Sequence, residues 1–208
     1  FQNNSLEVWK LDPFDGRILY KKFIATANNF AETQYLVEFD SDYLLLTRLV
    51  ATSVMQWQLK VLDKETGETV NTYPIGSGTG KLHGHLTLDN QKNIYITSAD
   101  SVFKLSGLNP SNILWSEKFV NSSIDEYYRL HYDSSGDFLY LVGIDQSHGK
   151  IVKIRASDGA HLSTIGSNIY LNRITDTQVA GGNIYIGWQS SFTGGNPYST
   201  ASYNILGD

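Results

Sequence analysis

The chain repeats one phrase: an aliphatic strand, often with a lysine, then a polar turn that usually carries glycine, then a second strand. The full copies are VWKLDPFDGRILY, LKVLDKETGETV, VFKLSGLNPSNILW and IVKIRASDGAHL, which begin at Val8, Leu59, Val102 and Ile151. A shorter copy, YNILGD, begins at Tyr203. The aliphatic residues before the turns lie 51, 43, 49 and 52 residues apart; they are Leu11, Leu62, Leu105, Ile154 and Leu206. A repeat of this length, built only from strands, predicts an array of similar β-sheet units.

A second phrase precedes each of the last four turns: a polar turn, then a short run of aliphatic and tyrosine residues. Its copies are FDSDYLLLT, LDNQKNIYIT, YDSSGDFLYLVG and VAGGNIYIG, which begin at Phe39, Leu88, Tyr132 and Val179. The turn residues Asp, Asn, Ser and Gly favour tight hairpins, and the residues that follow favour strands. A further strand is predicted before each copy, at 34–39, 81–88, 127–132 and 171–178.

Each unit therefore has four predicted strands joined by hairpin turns, which is the composition of one β-propeller blade. The expected fold class is all-β: a β-propeller of four-stranded antiparallel blades, as a partial ring or a segment of a larger propeller. We expect a single propeller segment over 1–208, with blades at about 34–73, 81–119 and 127–165 and partial blades at 1–30 and about 170–208. A long loop rich in Gly, Ser and Asn is predicted from Gln189 to Ser202.

Both ends of the sequence suggest a segment or a processed product of a longer protein. The chain begins at Phe1 rather than at methionine, and its last copy of the phrase stops at the turn. The sequence leaves three alternatives open for the unfinished blade at the carboxyl end: truncation of a larger ring or longer array, completion by the first two strands of this chain in a composite blade, or completion by another chain.

Copies of both phrases resemble the repeats of known propeller families. DSSGDFLYLVG (133–143) and DNQKNIYIT (89–97) are similar to the repeat of SBBP β-propeller proteins, and LDKETGETV (62–70) resembles the hairpin of quinoprotein-like (PQQ-like) repeats. The resemblance implies a propeller fold and an extracellular, cell-surface or periplasmic location. Quinoprotein dehydrogenases typically pair their cofactor with a vicinal disulfide, and this chain has no cysteine. We therefore expect no redox cofactor.

Charge and composition argue against several classes of partner. Sixteen basic and 21 acidic residues give a net charge of -5, with no basic run, so nucleic acid is not an expected partner. The absence of cysteine excludes disulfides and thiolate metal sites. The most apolar stretch, 43–57, is interrupted by polar residues and is shorter than the roughly 20 residues of a membrane helix. Asn3 and Asn121 fit the glycosylation pattern, and the sequence leaves their use open.

Polar residues share one face of the predicted first strand of each unit. Side chains alternate between the two faces of a strand, so residues two, four and six before the turn lie together. His83 and His85 lie on this face at a spacing that suits a divalent metal ion, with His131 or Glu38 as a further ligand. The alternative is that these histidines make hydrogen bonds inside the interface between blades.

Two arginines on the same face form another candidate site. Arg129 and Arg173, together with His85, can bind a carboxylate or a sugar acid, because the guanidinium group presents a planar fork of donors.

Aromatic residues around the predicted long loop are a candidate contact surface. Trp188, Phe192 and Tyr198 flank its GGN segment. Flat amphipathic rings serve both sugar stacking and protein interfaces.

The sequence thus predicts a non-catalytic scaffold, secreted or on the cell surface, that binds a protein or a glycan through its loops and rim. No residue is assigned a catalytic role. Two alternatives stay open. One is a metal-assisted hydrolase or lyase that uses the polar face. The other is a structural subunit whose unfinished blade is completed by strand addition, giving a homo-oligomer or a larger assembly.

Overall fold

The strand predictions can be compared with a computed structural model, which describes residues 6–25, 31–51, 54–78, 84–98, 101–119, 126–145, 148–170, 173–189 and 198–204. These residues form seventeen strands and no helix, so the all-β prediction is confirmed. The strands are β1 (Leu6–Leu11), β2 (Ile18–Ala25), β3 (Ala31–Phe39), β4 (Asp42–Ala51), β5 (Val54–Asp63), β6 (Thr69–Gly78), β7 (His85–Leu88), β8 (Ile94–Ser98), β9 (Ser101–Leu105), β10 (Ile113–Lys118), β11 (Glu126–Asp133), β12 (Phe138–Asp145), β13 (His148–Arg155), β14 (His161–Tyr170), β15 (Arg173–Ala180), β16 (Asn183–Gln189) and β17 (Tyr198–Asn204). Within these ranges the chain has no helix that is long and apolar enough to cross a membrane.

The strands form five antiparallel sheets in chain order. They are sheet 1 (β1–β2), sheet 2 (β3–β6), sheet 3 (β7–β10), sheet 4 (β11–β14) and sheet 5 (β15–β17). Each strand pairs with its neighbours in sequence, so sheets 2, 3 and 4 are the four-stranded meanders of propeller blades. The first strands of successive sheets lie side by side, β3 beside β7, β7 beside β11, and β11 beside β15. The predicted four-stranded antiparallel units are confirmed.

The core lies between the sheets. Leu44 and Leu59 of sheet 2 pack against Leu105 of sheet 3. On the other side of sheet 3, Tyr95 packs against Ile154 of sheet 4. Because side chains alternate along a strand, each sheet presents one set of residues to the sheet before it and another to the sheet after it. Full burial of each such side chain contributes about 1.5–3 kcal/mol.

The lysine of the repeated phrase joins neighbouring sheets. Lys104 of β9 donates a hydrogen bond from Nζ to the Ala156 carbonyl, in the turn between β13 and β14, at 3.2 Å. Trp115 of β10 donates from Nε1 to the same carbonyl at 3.0 Å. Lys10 of β1 donates in the same way to the Lys64 carbonyl, in the turn between β5 and β6, at 3.0 Å. Both acceptor carbonyls lie two residues after the aligned aliphatic residue. The phrase therefore supplies the lysine donor in one sheet and the carbonyl acceptor in the next.

The glycine of the phrase permits a left-handed turn and a close approach of the preceding sheet. Gly16, Gly67 and Gly159 have φ angles of 74°, 69° and 79°, a region that favours glycine. A side chain at Gly67 would collide with the ring of Tyr20 in sheet 1. At Gly159 it would collide with Trp115 of sheet 3.

The loop predicted from Gln189 to Ser202 is wrong over its second part, because β17 begins at Tyr198. Tyr203 pairs with Ile184, as Ile154 pairs with Leu139 in sheet 4. The last copy of the phrase therefore aligns on Tyr203 rather than on Leu206, which lies outside the described residues. The error arose because this strand is made of Ser, Thr and Ala around two tyrosines, and its pairing with β16, not its own pattern, makes it a strand.

Candidate functional site

A cluster of polar side chains lies where β7, β11 and β15 adjoin. His131 of β11 makes a hydrogen bond through Nε2 with Oγ1 of Thr177 in β15. The ring of His85 in β7 lies 6.0 Å from the His131 ring, between centroids, at an interplanar angle of 50°. The alternation of side chains in the sequence placed these three residues on one face, and in the structure they lie together across three sheets.

The two histidines of this cluster are neutral at pH 7. His85 is 2% exposed, and its backbone N–H donates to Oγ1 of Thr97 at 2.8 Å. Burial holds the pKa of His85 well below its usual range, and the neighbouring His131 and Arg129 act in the same direction. Burial also lowers the pKa of His131 to about 4, with Arg129 adding to the effect and Asp176 opposing it.

Arg129 faces a carboxylate of the next sheet. Its Nε lies 3.8 Å from Oδ1 of Asp176, and the same oxygen accepts the backbone N–H of Thr177 at 2.8 Å. The Asp176 side chain is mostly exposed, so the ion pair is worth at most about 1 kcal/mol. The cluster therefore links sheet 4 to sheet 5.

The metal site predicted around His83 and His85 stays a prediction. His83 lies outside the described residues. Within the described ranges, no group of three or more His, Cys, Asp and Glu side chains could hold a metal ion. Of the two further ligands considered, His131 is bonded to Thr177, and Glu38 is ion-paired with Lys64.

The other candidate residues lie in or near sheet 5. Arg173 is the first residue of β15, Trp188 is in β16, and Tyr198 is the first residue of β17. Tyr198 pairs with Gln189, so the ends of β16 and β17 are held side by side. Phe192 lies outside the described residues. Binding by these residues stays a prediction.

A second candidate site, which the sequence analysis missed, is the face of sheet 1 that points away from sheet 2. Lys10 reaches the turn of sheet 2, so its neighbours Trp9 and Leu11 point the other way. Phe23 of β2 pairs with Glu7 and lies on the same side. Ile18 of β2 pairs with Leu11 and lies on this side too. We call this surface the outer face of sheet 1; its half-exposed apolar residues are Trp9, Leu11, Ile18 and Phe23.

The Trp9 ring is fixed by polar neighbours on this face. Its Nε1 donates to Oε2 of Glu7 at 3.0 Å, and Lys21 Nζ lies 4.8 Å from the ring centroid. Lys21 and Glu7 form an ion pair at 3.0 Å, and the bond from Lys21 lowers the pKa of Glu7 below its usual range. A ring that is already ordered costs a ligand less conformational entropy on binding.

The repeat shows what kind of surface the outer face is. Leu11 is 51% exposed, whereas its equivalents are 0% exposed; these are Leu62, Leu105 and Ile154. Leu105 and Ile154 each pack on the sheet before their own. Leu11 thus occupies the position that packs on the preceding sheet in other copies of the phrase. Among the described residues, no sheet covers it.

Comparison with known proteins gives the fold. No family model matches the chain, and no curated protein sequence matches it. The structure of Sqt1 from Saccharomyces cerevisiae matches with a TM-score of 0.61 at 10% identity, over 98% of this chain and 53% of that one. Candidate 6-phosphogluconolactonases from Bacteroides uniformis and Bacteroides fragilis match with TM-scores of 0.58 and 0.60, at 18% and 13% identity. They cover 95% and 96% of this chain and 63% and 60% of their own.

These likenesses, together with the four-stranded meanders, show a β-propeller fold. The chain spans 53% and 63% of the length of the first two of these structures. The finer resemblance to SBBP and quinoprotein-like repeats stays a prediction.

Proposed function

We propose that this chain is a non-catalytic β-propeller scaffold that binds a protein partner through the outer face of sheet 1. The observation that carries the proposal is the exposure of Leu11, 51% against 0% at the same place in the next three copies of the phrase. Trp9, Leu11 and Phe23 together form a half-exposed apolar surface, and such a surface suits a protein partner that packs on it.

The chemistry of the outer face supports a protein partner. Trp9 and Phe23 supply flat apolar area, and Trp is enriched among the residues that dominate binding energy in protein interfaces. The charged residues beside them, Glu7 and Lys21, are already paired with each other. Covering this face therefore leaves neither of these charges without a partner.

The polar cluster between β7, β11 and β15 supports a scaffold rather than a catalyst. His131 is bonded to Thr177, and Arg129 lies beside Asp176, so these groups face one another across sheets. The alternative, a metal-assisted hydrolase or lyase, requires a set of metal ligands around His83 and His85. Metal analysis of the purified chain tests it.

We place this scaffold outside the cytoplasm, as a secreted or cell-surface protein, on the resemblance of its repeats to those of SBBP proteins. Fractionation of cells that express the natural gene tests this location.

The partner-binding proposal is tested by capture with three forms of the chain. A double variant, Trp9→Glu with Phe23→Glu, charges the outer face, and Leu108→Glu changes a fully exposed residue in the turn after β9 as a control. We expect proteins from the organism that makes this chain to be retained by the wild type and the control and lost with the double variant. Retention of the same proteins by all three forms contradicts the proposal. The partner would be a carbohydrate rather than a protein if the wild type bound a glycan on an array and the Trp9→Glu variant did not.

A further inference from the structure

We propose that the free edge of β10 binds an extended segment of a partner protein, which adds a strand to sheet 3 and carries an aliphatic and a basic side chain. We call this edge the outer edge of sheet 3; it consists of Ile113–Lys118. It lies in a different sheet from the outer face of sheet 1, so it gives the scaffold a second docking site.

A β-bulge in each full copy of the repeated phrase leaves one aliphatic residue exposed. In sheets 1 to 4, the pairing of the last two strands skips one residue near the start of the last strand. The skipped residues are between 38% and 63% exposed; they are Leu19, Val70, Leu114 and Leu162. Bulges at sheet edges re-aim side chains and are specified features rather than defects. The phrase therefore places an apolar side chain at the outside of each of these sheets.

Among these four last strands, β10 has the edge that is best suited to accept a further strand. β2, β6 and β14 each contain a second register shift, and β6 also contains Pro74, which lacks an N–H donor. Shifts and prolines of this kind keep an edge from pairing with other chains. β10 has neither, because after its one bulge residues 115–118 pair in register with 101–104. Sheet 3 lies between sheets 2 and 4, so this edge is open although both neighbouring sheets are present.

β10 is held in place before a partner binds. Trp115 donates from Nε1 to the Ala156 carbonyl of sheet 4 at 3.0 Å, and its ring lies 5.9 Å from the Tyr95 ring, between centroids. The turn glycine Gly159 also lies against Trp115. An edge that is already ordered costs an added strand less conformational entropy. The backbone N–H and C=O groups of such an edge can then pair with the added strand.

The aliphatic residues of β10 lie on one face of this edge. Ile113 pairs with Leu105, which packs on sheet 2, so Ile113 lies on the face towards sheet 2. Leu114 lies on the same face, because it alternates with Trp115, which contacts sheet 4. Both residues are half exposed. An added strand can therefore bury apolar area on this face.

A free carboxylate lies on the other face. Glu117 pairs with Val102, which packs on sheet 4. Glu117 is exposed, and among the described residues it has no cationic partner. Cross-strand pairs of opposite charge stabilise a sheet, so a Lys or Arg opposite Glu117 suits this face. Because side chains alternate along a strand, the aliphatic and basic residues of the partner segment lie an odd number of positions apart.

Selection from a phage-displayed library of random twelve-residue peptides, with the full chain as bait, tests the inference. We expect the retained peptides to combine aliphatic residues with Lys or Arg at odd spacing. Leu114→Glu charges the apolar face and should weaken their binding at least about tenfold. The matched control is Val70→Glu, at the same place of β6, and it should bind them as the wild type does. Both residues are at least 47% exposed, so the variants are expected to fold, and circular dichroism checks that they do.

Charge reversal gives a test that a folding defect cannot imitate. Glu117→Lys should weaken the peptides that carry a basic residue, and replacing that residue by Glu in the peptide should restore binding to this variant. Pairing through the backbone is tested by placing proline in the middle of a retained peptide, which removes an N–H donor and should weaken binding at least about tenfold.

Four results would overturn the inference. The first is a library from which the wild type retains no peptide. The second is a set of peptides that bind the wild type and Leu114→Glu equally; if the double variant Trp9→Glu with Phe23→Glu loses them, they bind the outer face of sheet 1, and the proposed function stands without a second site. The third is weakening by Glu117→Lys that the charge-reversed peptide does not restore. The fourth is a peptide that tolerates proline at every central position.

Discussion

At the scale of single residues, the repeated phrase is a set of contacts between sheets. Lys104 and Trp115 both donate to the Ala156 carbonyl, and the turn glycine lets the sheets approach closely enough for this. The sequence shows which residues recur, but a recurring lysine looks the same whether it is solvated or bonded. Its role became visible only from the position of the acceptor in the following sheet.

Replacing Lys104 by Met should remove one of these contacts. The side chain is 12% exposed and donates to a carbonyl, so we expect a loss of about 1.5–3 kcal/mol in the free energy of unfolding. Urea unfolding measures it. The control is Lys22→Met, which removes an ion pair with the exposed Glu68 and should cost at most about 1 kcal/mol. Equal losses in the two variants would contradict the role given to Lys104.

Two glycine variants separate backbone strain from contact between sheets. Gly16→Ala and Gly159→Ala meet the same strain at positive φ, but only Gly159 lies against Trp115. We expect Gly16→Ala to cost about 1 kcal/mol and Gly159→Ala to cost at least twice as much. Thermal and urea unfolding compare them. Equal costs would mean that the turn of sheet 4 is not covered as described.

The buried histidines make stability depend on pH. The pKa of His131 is lowered to about 4 in the folded state from an ordinary value of 6.5, so the unfolded chain binds the proton first as the pH falls. The contribution of neutral His131 to the free energy of unfolding is complete above pH 6.5 and declines towards pH 4. From pH 7 to pH 5 this contribution should fall by about 2 kcal/mol. The pKa of His85 is also lowered, so His85 adds to the decline. Unfolding at the two pH values measures the decline.

A His131→Gln variant is the control for the pH effect. Glutamine does not titrate and can keep a hydrogen bond to Thr177. The difference in stability between pH 7 and pH 5 should shrink in this variant. An unchanged difference would assign the effect to other groups.

At the scale of elements, hairpin chemistry predicted most of the sheets. Polar turns and aliphatic runs mark β4, β8, β12 and β16 in the sequence, and each of them is a strand. The strand predicted from Tyr203 begins earlier, at Tyr198 in β17, because its strand character comes from its pairing with β16 rather than from an alternation of polar and apolar residues. The outer face of sheet 1 was missed for a different reason: Leu11 and Leu62 stand in equivalent copies, and sequence alone does not show which of them is covered.

The uncovered sheet should also be the least protected. β1 and β2 form a two-stranded sheet with one open face, whereas β13 lies in a sheet packed on both faces. We expect amide hydrogens of β1 to exchange faster than those of β13 in the monomer, because local opening of sheet 1 exposes less apolar surface. Hydrogen exchange read by mass spectrometry measures this. Equal protection at low protein concentration would contradict an open outer face.

At the scale of the whole molecule, the chain is a series of blades in which each sheet is completed by the one after it. The period of the phrase and its strand content were enough to predict the propeller fold. Function was not predictable in the same way, because sequence alone does not distinguish a polar side chain that binds a ligand from one that contacts the neighbouring sheet, as His131 contacts Thr177. Among the described residues, Leu11 is half exposed whereas its equivalents in the next three copies of the phrase are buried.

Capture with the wild-type chain and with the Trp9→Glu, Phe23→Glu double variant tests the central claim most directly, because the claim is that the outer face of sheet 1 binds a protein partner. We expect the proteins retained by the wild type and by the Leu108→Glu control to be lost with the double variant. Retention of the same proteins by all three forms would contradict the claim.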